Sequence, residues 1–281
     1  MLTSCRLSEA GCCGGKKGHT EGGEDEPVRD IASETPLVPT QDLLQDVKVD
    51  LEDRPETLLE GGARYIGQWN GTVRHGIGVL VQADGSRYRG TFLDGQVHGE
   101  GSFSSKNGCE YEGQWHRGRA HGQGKYRHTD NSTYEGEFKD DEKSGKGKEC
   151  WGDGYVYEGE FLRGGKHGFG VYRSGPTTTI YEGQFKNDKM DGTGKYTFTD
   201  GRVYTGQLRS GQIDGKGTME WPDGSIHTGM FEHNQRHGEG AYTTAAGQVS
   251  SGRWFNGKEV EANGNGNNGV ATDGDNAPGK R

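Results

Sequence analysis

Apolar side chains are scarce in this chain. Only 28% of its 281 residues are hydrophobic, too few for one ordinary aliphatic core of that size. No run approaches the ~18 consecutive apolar residues that a membrane-spanning helix needs. No apolar h-region stands in residues 1–20, so no secretory signal is visible. Leu2-Thr3-Ser4-Cys5 has the letters of a lipoprotein cleavage box, but nothing before it would make it one. Five cysteines without a secretory context point to reduced thiols in an intracellular protein rather than a disulfide framework. Excess positive charge is lacking too: the formal net charge is −9. Residues 1–60 hold 14 acidic and 6 basic residues, and the other 221 are close to neutral. Without a basic face the chain has no electrostatic footprint for nucleic acid.

Glycine is abundant, at 53 residues, and so ordered that the composition reads as a repeat array rather than as disorder. One phrase, Tyr-x-Gly-x-aromatic, recurs. It stands at Tyr65-Gly67-Trp69, Tyr88-Gly90-Phe92, Tyr111-Gly113-Trp115, Tyr134-Gly136-Phe138, Tyr157-Gly159-Phe161 and Tyr181-Gly183-Phe185. Tyr204-Gly206-Leu208 follows, then weaker copies at His227 and Ser250. Every step is 23 residues except one of 24 between Tyr157 and Tyr181, where the turn contains Pro176. A second phrase, His-Gly-x-Gly, follows at fixed offset (His75, His98, His121, His167, His237), with Ser144, Asp191 and Asp214 replacing the histidine in three copies. A third, Asp-Gly or Asn-Gly, precedes most copies, as at Asp84-Gly85, and predicts a two-residue type I′ hairpin turn. Strand alternation puts Tyr65, Gly67 and Trp69 on one face. Regular glycine in strands marks close approach, here expected to be by rings of neighbouring repeats.

These phrases on this period resemble the MORN repeat over roughly residues 64–258. The resemblance implies an all-β fold, an elongated solenoid of tandem antiparallel β-hairpins with about eight full repeats and a partial ninth. About eighteen strands at ~4.8 Å spacing would span roughly 80 Å. Glu149 departs from the pattern, standing where an apolar residue is expected; Leu208, His227 and Ser250 suggest a degenerate C-terminal cap.

Outside the repeats, residues 1–40 read as a disordered acidic tail with a cysteine cluster. Cys5, Cys12 and Cys13 beside Lys16 and Lys17 form a candidate S-acylation site, set against incidental cysteines in a tail. Residues 41–63 read as a short capping helix and linker, with Leu43, Leu44, Val47 and Leu51 at helical spacing. Residues 259–281 read as a disordered tail.

Catalytic chemistry is not signalled. Equivalent histidines of consecutive repeats would lie roughly 10 Å apart, too far to share one ion. His233 and His237 are expected in a loop. The Gly-x-Gly phrases lack the strand, helix and distal acid of a nucleotide site. No catalytic, cofactor or metal residues are assigned, and no room remains outside the repeats for an enzyme domain. A solenoid surface suits an extended segment or helix of a protein partner. MORN-repeat proteins are associated with membrane junctions, cell-cortex cytoskeleton and cilia, so the resemblance implies a scaffold at such a surface. Lipid-headgroup binding is the other reading, resting on Arg117, Arg119, Lys125 and Arg127.

Overall fold

The computed structural model describes residues 50–175 and 178–260. They divide into two compact units at Gly152/Asp153. Unit one carries β1 (Glu52–Leu58), β2 (Arg64–Asn70), β3 (Val73–Val81), β4 (Arg87–Leu93), β5 (Gln96–Ser104), β6 (Glu110–His116), β7 (Arg119–Arg127), β8 (Thr133–Lys139) and β9 (Glu142–Cys150). Unit two carries β10 (Tyr155–Leu162), β11 (Gly165–Ser174), β12 (Thr178–Lys186), β13 (Lys189–Thr197), β14 (Val203–Arg209), β15 (Gln212–Glu220), β16 (Ile226–Glu232), β17 (Gln235–Thr243), β18 (Val249–Phe255) and β19 (Lys258–Val260). In each unit every strand pairs antiparallel with the next, so the chain is all-β and built of tandem hairpins.

The tyrosine-bearing face is the core. Tyr65, Tyr88, Tyr111, Tyr134, Tyr157, Tyr181 and Tyr204 are essentially inaccessible to solvent. Each packs edge-on against the aromatic of its own phrase or the next: Tyr65 lies 5.2 Å from Trp69 and 5.0 Å from Phe92, Tyr111 4.9 Å from Trp115 and 5.0 Å from Phe138. Unit two repeats this with Tyr157, Phe161, Phe185 and Tyr181. T-shaped pairs add about 0.5–1.5 kcal/mol each beyond area burial. A column of such rings explains how a chain poor in aliphatics has a core.

The glycine reading needs one correction. A Cβ on Gly78 would lie 2.3 Å from the hydroxyl of Tyr65, which belongs to the same repeat rather than a neighbour. Gly101 stands to Tyr88, and Gly124 to Tyr111, in the same way. The last glycine of each His-Gly-x-Gly phrase therefore makes room for the ring at the tyrosine position of its own repeat, which is His227 in the eighth.

The turn reading is also corrected. Asp84-Gly85 does not form a two-residue turn: only Gly85 has positive φ, and Gly85 N–H donates to Gln82 at 3.0 Å while Gln82 N–H donates to Ser86 at 2.8 Å. This is a three-residue loop, a type I turn closed by a left-handed glycine. Two-residue turns with positive φ at both positions occur at the opposite ends of the hairpins, at Asp94-Gly95, Arg117-Gly118, Asp140-Asp141 and Asn187-Asp188. Where the second position is Asp or Asn it also clips two repeats together. Asp141 N–H donates to Ala120 O at 3.0 Å, and its carboxylate accepts Ala120 N–H at 2.8 Å; Asn234 holds Ile213 in the same way.

A third difference lies before the repeats. Leu43, Leu44 and Val47 fall outside the described residues. The following residues, expected as linker, form β1, whose Glu52 opposes Trp69 and whose Arg54 guanidinium lies 5.2 Å from the Trp69 ring. The first repeat is thus covered by a strand.

Candidate partner-docking face

The repeat phrase is built around a bulge. Gly67 opposes Gly78 and Trp69 opposes Arg74, so Gln68 stands against His75, Gly76 and Ile77. Gly76 takes φ 64°, and the bulge frees the N–H of Ile77, which Gln68 Oε1 accepts at 2.8 Å. Tyr65 Oη closes the same knot by donating to Gln68 O at 2.9 Å. Gln114, Glu137, Glu160, Gln184 and Gln207 repeat the side-chain staple at 2.8–3.1 Å. The sequence reading passed over this residue; its recurrence as Gln or Glu just before the aromatic was the available signal. Burial raises the pKa of Tyr65, Tyr88, Tyr134 and Tyr204, and pushes that of Tyr181 up to about 12, so these hydroxyls stay neutral donors.

The repeat-defining residues are therefore consumed by the fold, and the histidines follow variously. His75 is buried; His98 Nδ1 accepts Arg117 N–H at 3.4 Å; His237 lies 3.2 Å from Glu232. Burial, then His116 and Arg117, lower the pKa of His98. Among the described residues no group of three or more His, Cys, Asp or Glu could hold a metal.

Beside the core column, unit two carries a second line of rings on the same face, in which Tyr172, Tyr196 and Tyr242 stand opposite the core residues Tyr157, Tyr181 and His227. Tyr155, Tyr172, Tyr196, Phe198, Trp221 and Tyr242 are each half-buried. Tyr155 and Tyr172 stack nearly parallel (5.6 Å, 10°), Tyr196 meets Phe198 at 4.6 Å, and Trp221 meets Tyr242 at 6.1 Å. Cations sit over two of them: Arg202 lies 4.7 Å from the Phe198 ring and Arg236 5.7 Å from the Trp221 ring. Burial, then Tyr155, push the Tyr172 hydroxyl up to about 12. The opposite face of unit one is charged. In unit one Glu112, Lys125, Glu135 and Lys148 stand opposite one another on successive strands.

The basic cluster is largely compensated. Arg119 lies 3.9 Å from Asp140, Lys125 3.9 Å from Glu135, and Arg127 3.7 Å from Glu110. Cys5, Cys12 and Cys13 lie outside the described residues.

The MORN repeat model matches residues 65–87, 88–110, 111–133, 134–154, 157–176, 181–201, 204–226 and 227–249. The chain belongs to the MORN-repeat family. No curated protein sequence matches it significantly. Among solved structures, the TCP10 domain of Danio rerio CPAP in complex with a peptide of STIL is similar at 14% identity and TM-score 0.26, over 74% of this chain and 97% of that one. Virginiamycin B lyase from Staphylococcus aureus is similar at 10% identity and TM-score 0.17, over 71% and 83%. At those TM-scores neither likeness bears on what this MORN-repeat chain does. The family supports a repeat-based scaffold or binding role.

Proposed function

We propose that this MORN-repeat chain is a non-catalytic scaffold that holds an extended or helical segment of a partner protein against the aromatic line of unit two. The observation that carries this is a line of six half-buried rings beside the core column, of which Tyr155, Phe198 and Trp221 lie outside the repeat phrases. Aromatic rings with cations alongside are the groups that dominate protein–protein hot spots. The scaffold works at a membrane or cytoskeletal surface, a cilium or cell cortex included, and acylation of Cys5, Cys12 and Cys13 supplies its anchor. Direct lipid-headgroup binding is the weaker reading, because carboxylates beside Arg119, Lys125 and Arg127 offset the charge that would attract anionic lipid.

The test is the distribution of tagged full-length protein in three forms: wild type, the triple Cys5/Cys12/Cys13→Ser variant, and Tyr172→Ser with Trp221→Ser. Loss of membrane pelleting in the triple variant is expected of the anchor, and loss of the cytoskeletal or junctional pattern in the ring variant is expected of the docking line. Identical distribution of all three forms would contradict both.

A further inference from the structure

The charge on the face of unit one away from the tyrosines stops at the first repeat. That face takes the residue after each tyrosine and the residues on either side of the last glycine of His-Gly-x-Gly. In the second repeat these are Arg89, Glu100 and Ser102, and all three are polar again in the third and fourth. In the first they are Ile66, Ile77 and Val79. Ile66 stands opposite Val79 across the β2–β3 pair, and Ile77 and Val79 face Thr91 and Arg89 on β4. The three side chains form one aliphatic patch on the outside of the sheet. The repeat core does not require it, because that core lies on the other face, where Tyr65, Trp69 and Leu80 are buried.

Leu51 already reaches toward this patch. It lies two residues before Asp53, which opposes Gln68, so it shares the face of Gln68 and Ile66. Its Cδ1 is 2.9 Å from the place that a Cβ on Gly76 would take, and Gly76 adjoins Ile77. Leu51 is half-buried there, and the described residues begin one position earlier, at Asp50. The residues before it therefore leave from the edge of the patch. Among them Leu43, Leu44 and Val47 fall with Leu51 within about 100° of arc on a helix, the width of a core-facing stripe. A helix over 41–49 would be roughly 14 Å long, three strand spacings of ~4.8 Å.

We infer that residues 41–49 fold back over the outer face of the first repeat, with Leu43, Leu44 and Val47 seated on Ile66, Ile77 and Val79. A helix this short does not stand alone in water, and an apolar face to pack on is what stabilises it. The same contact explains the patch, which left uncovered would invite association. The outer surface that a partner meets then starts at the charged second repeat. This contact is independent of the aromatic line of unit two.

Thiol labelling of the full chain tests this. Val79→Cys is treated with a maleimide, and labelling at position 79 is followed by peptide mass spectrometry so that the native cysteines are read separately. The rate is expected to rise about tenfold or more when Leu43→Asp, Leu44→Asp and Val47→Asp are added together, as a closed contact opens. Ser102→Cys, at the same place in the second repeat, is expected to label at one rate in both forms. A urea cycle gives a second reading that needs no new thiol. The triple Asp variant should lower the midpoint of the wild type and leave it unchanged in a chain carrying Ile77→Thr and Val79→Thr, since later repeats have Thr193 and Thr218 at these places. Equal labelling at position 79 in both forms, or the same fall in midpoint in both backgrounds, would overturn the inference. Slow labelling in both forms that speeds on dilution would also overturn it, and would give the patch to a second copy of the chain.

Discussion

At the scale of single residues, the fold depends on pairs of tyrosine and glycine that exclude any third atom. An added Cβ at Gly101 would lie 2.3 Å from the Tyr88 hydroxyl and 2.6 Å from the ring carbon bearing it. The ring is fully buried and cannot swing away. Gly101→Ala is therefore expected to cost about 3 kcal/mol, as overpacking in a closed core does, read as a lower urea midpoint at unchanged slope. His227 occupies the tyrosine place in the eighth repeat, packed 4.5 Å from Trp254 and 5.4 Å from Phe231, with neither ring nitrogen hydrogen-bonded. Burial, then the charge of Arg236, pull its pKa down to about 4. The folded form refuses a proton that the unfolded chain accepts at about 6.5. Stability should thus be whole above pH 6.5 and fall as pH drops toward 4. His227→Tyr should raise the urea midpoint and flatten that part of the pH profile, because Gly240 already leaves room beside this ring and the new hydroxyl reaches the Met230 carbonyl position that its counterparts use. A midpoint unchanged by the substitution would show that the histidine costs nothing.

At the scale of the hairpin, the bulge and its staple set the strand geometry. Gln114→Ala should cost about 1 kcal/mol by leaving the Gln123 N–H without its acceptor, while Gln114→Glu should be nearly silent, since Glu137 and Glu160 fill the same role. Glu149, the odd residue of its repeat, is explained by Lys143, which ion-pairs with it and lies 5.2 Å from the Tyr134 ring. Breaking that part-buried pair with Glu149→Leu alone should destabilise, and Glu149→Leu with Lys143→Val should recover most of the loss, as a double-mutant cycle would show. The period, the ring column and the hairpins were legible in the sequence because each rests on local alternation repeated in register. The turn types were not, since Asp-Gly serves both a two-residue turn and a three-residue loop, and only backbone φ separates them. The strand at Glu52–Leu58 was hidden because it lies outside the repeat and carries Pro55 and four charged residues. The docking line was within reach: Tyr155, Phe198 and Trp221 each lie two residues from a core-facing position, which puts them on the ring-bearing face.

At the scale of the molecule, the repeat phrases make the core, and the proposed docking line sits beside it. Unit one presents alternating charge on the face away from the tyrosines, and unit two gathers the second line of aromatics, so the two units present different surfaces. Photocrosslinking tests that division most directly. A photoreactive phenylalanine analogue would be placed singly at Tyr155, Phe198 or Trp221, and in parallel at Glu112, Lys125 or Thr205 on the opposite face, in tagged full-length protein in cells. The account predicts one shared partner captured from the three aromatic positions and not from the other three. Capture of the same partner from Glu112, Lys125 or Thr205 instead, with none from the aromatic line, would contradict it.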